Sequence, residues 1–131
     1  MPPRESRLSL RLELGAVVRL GPGKVRLLEL IGELGSISAA GRAMEMSYRR
    51  AWLLVDSLNT AFSRPVVATR PGGKADQRAE VTEFGREVMR RYRNMQATAQ
   101  IALAEDLHAL EAALRPDAGQ RPMRDPHDPA T

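Results

Sequence analysis

The chain has 131 residues, a net charge of +4, no cysteine and only five aromatic residues: one Trp, two Tyr and two Phe. That length fits one domain able to bury its own core, and the missing thiols exclude a disulfide framework and any thiolate metal site. No apolar run reaches the ~18–20 residues that span a bilayer, and the start, MPPRESRLSL, lacks a signal peptide's apolar stretch; a soluble, cytoplasmic protein without membrane association is expected.

The placement of charge says more than its sum. Residues 36–78 hold seven Lys/Arg against three Asp/Glu, a local +4. Residues 1–35 carry +2, while 79–115 and 116–131 carry −1 each. A localised basic region is the electrostatic footprint of nucleic-acid binding. A surface that is basic by chance gives the same count, so charge alone leaves both readings open.

Residues 7–14, RLSLRLEL, alternate leucine with Arg, Ser and Glu, which predicts a half-buried strand. After the punctuation GPG (21–23), KVRLLELIGELG repeats Val25, Leu28, Ile31 and Leu34, an amphipathic helix that Gly35 is placed to stop. Gly32 inside it suggests close packing with a neighbour. Ser36 or Ser38 can cap a short helix, SAAGRAM, whose Ala39, Ala40 and Ala43 let another helix lie close. Met44-Glu45-Met46 makes a tight connection, and Ser47 caps a helix over about 48–62. Trp52, Val55, Leu58 or Asn59, and Phe62 recur at helical spacing, so its rear is expected to be buried while Tyr48, Arg49 and Arg50 load its first turn. Two helices joined this tightly predict a helix-turn-helix, which presents the second helix's N-terminal residues to base edges in the major groove.

VVATR (66–70) and AEVT (79–82) read as short strands of a hairpin, a wing, with the mobile basic tip PGGKADQR between them. Thr82 is expected to cap one long helix over 83–115, stopped by Pro116. Phe84, Val88, Tyr92, Met95, Ala99, Leu103, Leu107, Leu110 and Leu114 form its apolar stripe. Such a rod, ~50 Å long, is too long for so small a body to cover. A partner chain is the expected cover, with a bent helix or two helices folding back as the alternative. Residues 116–131, rich in proline, predict a disordered tail. The expected architecture is mainly α with a small β-sheet (α+β). Residues 1–82 make the DNA-binding domain with its N-terminal strand, 83–115 a dimerisation helix, and 116–131 the tail.

GSIS (35–38), SYRRAW (47–52), PGGK (71–74) and VTEFG (81–85), in this order and spacing, resemble the N-terminal domain of molybdate-responsive transcription regulators of the ModE type. The match runs from about residue 8 to 110. That domain is similar to the winged helices of LysR-type regulators, from which the Ala-Trp pair on a serine-started basic helix separates it. The resemblance implies a homodimer on palindromic double-stranded DNA. It also implies long helices paired between subunits, the N-terminal strand joined to the sheet edge, and recognition helices in successive major grooves ~34–36 Å apart. Full-length members carry further β-barrel domains that bind the oxyanion, and no residues here match them. A stand-alone DNA-binding domain with no cofactor of its own is therefore expected; a molybdate or tungstate response would need an anion pocket at a dimer seam.

The candidate DNA-binding residues are Ser36, Ser38, Ser47, Tyr48, Arg49, Arg50, Arg70, Lys74 and Arg78. Arginine offers two parallel donors to guanine O6 and N7, so Arg49 and Arg50 can read bases or hold phosphate; the alternative is a surface charge pair. Tyr48 can bind phosphate or pack partly into the core. The serines can cap helices or reach phosphate. Arg70, Lys74 and Arg78 belong to the wing, against phosphate or simply solvated. Trp52 and the methionines at 44, 46, 89 and 95 are expected in the core. His108 and His127 stand apart from each other and from any carboxylate pattern. With no paired catalytic carboxylates, metal cluster or phosphate loop, the chain is not expected to be an enzyme. The competing reading is a winged helix that holds a protein partner rather than DNA.

Overall fold

The computed structural model describes residues 6–70 and 78–116. Within them the elements run β1 (Leu12–Leu14), β2 (Val18–Leu20), α1 (Pro22–Leu34), α2 (Ile37–Ala43), α3 (Tyr48–Ala61), β3 (Val67–Arg70), β4 (Arg78–Val81), α4 (Glu83–Ala102) and α5 (Ala104–Ala112). The protein is mainly helical with small antiparallel sheets, an α+β composition. Among the described residues, no helix is long and apolar enough to cross a membrane. The chain forms two compact units. One is Ser9–Thr98; the other gathers the described residues up to Leu8 and those from Ala99 onward.

The core of the larger unit is built around α1. Val25, Leu27, Leu28 and Ile31 are fully buried, with Ala40, Ala51, Leu58 and Val66 against them. The sequence sets both ends of this helix. Pro22 sits in its first turn, where a missing N–H costs nothing. Gly35 takes a left-handed conformation (φ 78°) and donates its N–H to the Ile31 carbonyl at 2.8 Å, closing the last turn.

Small residues let α2 and α3 approach as expected. A Cβ on Gly41 would lie 3.1 Å from the Ala51 Cβ. The hairpin β3–β4 pairs Val67 with Val81 and Arg70 with Arg78, and two contacts tie it to the helices. The Ala79 N–H donates to the Gly35 carbonyl at 2.9 Å. The Asn59 amide of α3 accepts from the Val66 and Val67 N–H groups and donates to the Val67 carbonyl. Thr82 caps α4 by accepting from the Gly85 N–H at 2.9 Å, and its own hydroxyl donates to the Pro65 carbonyl. Gly85 is required there, because a Cβ would collide with the Val66 carbonyl oxygen and come 2.8 Å from Val81.

Three expectations need correction. The alternation over 7–14 is real, with half-buried leucines and exposed Arg7, Ser9, Arg11 and Glu13, but only Leu12–Leu14 is a strand. Its partner is β2, which the sequence reading did not anticipate, across a Gly15-Ala16 turn with φ 55° and 56°. Upstream, the backbone is satisfied by side chains instead of a neighbouring strand. The Leu8 N–H donates to Gln100, the Ser6 N–H donates to Glu111, and the Leu10 carbonyl accepts from the Tyr92 hydroxyl at 2.7 Å. The two hairpins form separate sheets, so β1 does not join β3–β4.

The long helix is interrupted. α4 ends at Ala102, Leu103 departs from helical geometry (φ −106°, ψ 11°), and α5 begins at Ala104. Glu105 and Asp106 in the first turn of α5 suit a helix start, where the dipole favours negative charge. The stripe also divides: Val88 and Tyr92 are buried, whereas Met95, Leu103, Leu110 and Leu114 are exposed, as is Ile101 outside the stripe. The expected tail from residue 117 and the hairpin tip 71–77 lie outside the described residues.

Candidate nucleic-acid interface

Ser47 starts α3. Its backbone is extended and its Oγ accepts from the Arg50 N–H at 3.1 Å, filling one of the orphan donors of the first turn. Ala51, Val55 and Leu58 then fall on one face and are buried. That stripe fixes the direction of every other side chain, because each residue turns about 100° round the helix. Arg49 falls opposite the stripe and projects outward. Arg50 falls on one flank, beside Leu54. Tyr48 and Trp52, four residues apart, share the other flank.

Ser47, Tyr48, Arg49 and Arg50 are all exposed. Among the described residues, neither arginine pairs with a carboxylate. The contrast with other cations is informative: Arg93 binds Glu29, Arg91 binds Glu87, and Arg64 lies 4.4 Å over the Phe84 ring.

The remaining candidates divide. Ser36 is the N-cap of α2, accepting from the Ala39 N–H at 2.9 Å, and is half-buried. Ser38 lies within the first turn of α2 rather than at its cap. Arg70 ends β3 and is ion-paired with Glu80 at 3.3 Å, although both groups are well exposed. Arg78 begins β4 and is exposed. Lys74 lies outside the described residues.

Trp52 and Met95 correct the reading of the core: they are 44% and 45% exposed. The buried stripe is Ala51–Val55–Leu58, and Trp52 lies about 100° from Ala51, at its edge. Leu53 is exposed beside it. The signal was present in the sequence, since Ala51 fits the same period and the smaller residue faces the closely packed α2.

Cations also gather where the sequence reading placed none. Arg11, Arg19, Lys24 and Arg50 line a cleft of about 310 Å³ with Gly21, Pro22, Gly23, Met46 and Leu54. Lys24 donates to the Arg19 carbonyl at 2.8 Å. Burial, reinforced by the neighbouring Arg19 charge, holds the Lys24 ammonium below its ordinary pKa. Among the described residues there is no group of three or more His, Cys, Asp or Glu arranged to hold a metal.

No protein-family model matches the chain. Individual proteins do. Over 102 residues, 78% of this chain and 36% of the relative, it is 37% identical to the molybdenum-pterin-binding protein MopB of Rhodobacter capsulatus. Over 98 residues, 75% of this chain and 36% of the relative, it is 33% identical to the molybdenum transport protein ModE of Azotobacter vinelandii. Over 88 residues, 67% of this chain and 34% of the relative, it is 27% identical to the DNA-binding transcriptional dual regulator ModE of Escherichia coli strain K12. The chain spans about a third of the length of these curated relatives. Their names describe a molybdenum-pterin-binding protein, a molybdenum transport protein and a DNA-binding transcriptional regulator.

Proposed function

We propose that this chain is a winged helix-turn-helix DNA-binding module of the ModE type, a transcription regulator connected with molybdenum supply or use. α2 and α3 form the helix-turn-helix, α3 is the recognition helix, and β3–β4 is the wing. The observation that carries this reading is the first turn of α3. Ser47 to Arg50 stand exposed and cationic, while Ala51, Val55 and Leu58 anchor the same helix in the core. A core helix gains nothing from such a front end; a helix whose N-terminus enters a major groove needs it. Arg49, projecting outward, is the base reader. Tyr48, Trp52 and Leu53 offer apolar contact to thymine methyl groups or sugars alongside it. The name of the relative at 27% identity, a DNA-binding transcriptional regulator, supports this reading, and that of the relative at 33% supports the connection with molybdenum. The protein then works in the cytoplasm, the compartment of its DNA.

The module acts as a homodimer. Leu12, Leu14, Leu20, Phe62, Phe84 and Met95 line an open apolar groove of about 230 Å³, and the exposed Ile101, Leu110 and Leu114 add further uncovered apolar surface. Palindromic operators match such two-fold symmetry.

The test is binding to duplexes tiled across the DNA upstream of the chain's own gene, at several salt concentrations. The parent chain prefers one tile over unrelated duplex, and its affinity falls linearly on logarithmic axes as salt rises. Arg49→Ala loses the preference, worth about 1–3 kcal/mol, and keeps the circular dichroism of the parent. Equal preference in Arg49→Ala and parent removes Arg49 as the reader, and an absence of DNA affinity at low salt removes the function.

A further inference from the structure

The cationic cleft beside α3 is not explained by base reading. It draws Arg19 from β2, Lys24 from α1 and Arg50 from α3 into one wall, with Arg11 from the segment before β1. Among the described residues, no carboxylate lines it. Arg19 lies 3.9 Å from Glu13 with both side chains about 70% exposed, a separation at which an exposed pair contributes little. Two neighbouring elements, β2 and α1, and the more distant α3 thus bring like charges together. Burial first, and the Arg19 charge second, hold the Lys24 ammonium below its ordinary pKa, a cost to its charged form. An anion in the cleft would relieve it. The first turn of α1 borders the same space without an acidic residue or a side-chain cap.

We propose that Arg19, Lys24 and Arg50 form a phosphate-binding cleft that grips the DNA backbone on one side of the recognition helix. This rests on the DNA-binding reading above. The phosphodiester is the favoured occupant because Arg50 belongs at once to the cleft and to the exposed first turn of α3. A helix in the major groove has a phosphate strand on either side of it, and the Arg50 flank meets one of them. Phosphate contacts of this kind position the protein without reading sequence, so the cleft sets affinity and register while Arg49 sets preference. A free tetrahedral oxyanion, such as inorganic phosphate or molybdate, has similar chemistry and is the alternative occupant.

The experiment compares parent, Arg19→Gln and Lys24→Gln for binding to the preferred tile and to an unrelated duplex across a salt series. Arg19 and Lys24 are not core residues, and circular dichroism verifies each variant's fold. Each substitution is expected to weaken both duplexes equally and to reduce the salt slope by about 0.9, one phosphate contact. Slopes unchanged in both variants, with the parent binding normally, overturn the cleft while leaving the DNA-binding function intact. A parent that does not bind DNA overturns both. In a second arm, inorganic phosphate and molybdate are titrated calorimetrically into the chain without DNA. Flat titrations are expected; a one-to-one heat in the parent that Lys24→Gln abolishes would assign the cleft to a free oxyanion and overturn the backbone assignment.

Discussion

Asn59 shows how much of this fold depends on single polar groups. One amide satisfies two N–H donors and one carbonyl at the start of β3, at 2.8, 3.2 and 3.0 Å. Alanine there leaves backbone groups with no partner in a partly buried site, at a cost of about 2 kcal/mol. Asn59→Ala should therefore lower the thermal midpoint by several degrees, and Asn59→Asp, which keeps the acceptor, should lose less; equal losses would mean that the two accepted bonds contribute nothing. The sequence offered Asn59 only as an alternative to Leu58 on the apolar stripe, because nothing local reveals that Val66 and Val67 return to it. Trp52 failed in the opposite sense. Its size suggested burial, yet the tight approach of α2 favours Ala51 on the inward face, and the large ring is left at the edge. Ser47 was legible as a cap because capping is a local property of serine in extended backbone before a helix, while the structure decides for Ser36 where the sequence left Ser36 or Ser38.

Between elements, the firmest polar link in the larger unit joins α1 to α4. Arg93 donates to both oxygens of Glu29, at 2.8 and 3.1 Å, and Arg26 approaches the same carboxylate at 3.5 Å. Hydrogen bonding from Arg93 holds the Glu29 carboxyl below its ordinary pKa of 4.5 against the opposing effect of burial. A carboxyl depressed in the folded state stabilises the fold fully above its unfolded value, and that contribution is lost as pH falls through the lower folded value. Both side chains are partly exposed, so the pair contributes about 1 kcal/mol after screening. Urea denaturation should show Glu29→Gln less stable than the parent by that amount at pH 7, with the gap closing below about pH 4. A constant gap across that range would assign the loss to packing.

Helical elements were the more legible ones. α1, α2 and α3 follow from a 3.6-residue period, two serine caps and one glycine stop, all read within a few residues. β2 was missed because three residues give no measurable alternation, and β1 was overextended because period two reports which side faces the core, not whether a strand lies alongside. Two helices stood as the alternative to one rod, but a leucine spacing that continues through Leu103 did not locate the break.

At the scale of the whole molecule, the decisive property is that the larger unit carries two surfaces of different character. One is cationic and centred on the front of α3 with its adjoining cleft. The other is the apolar groove lined by Phe62 and Phe84. The sequence showed the first through the run SYRRAW and the second through a stripe with nothing to cover it. It could not show the cleft, whose cations come from positions 11, 19, 24 and 50 and meet only through the fold. The central claim, that the first turn of α3 lies in a major groove, is tested most directly by methylation protection on the preferred upstream duplex, since guanine N7 is reached only from that groove. The account predicts two clusters of protected guanines one helical turn apart, about 34–36 Å, with protection lost in Arg49→Ala at concentrations that still saturate the DNA. Full occupancy without N7 protection, or the same protection in Arg49→Ala, would contradict it.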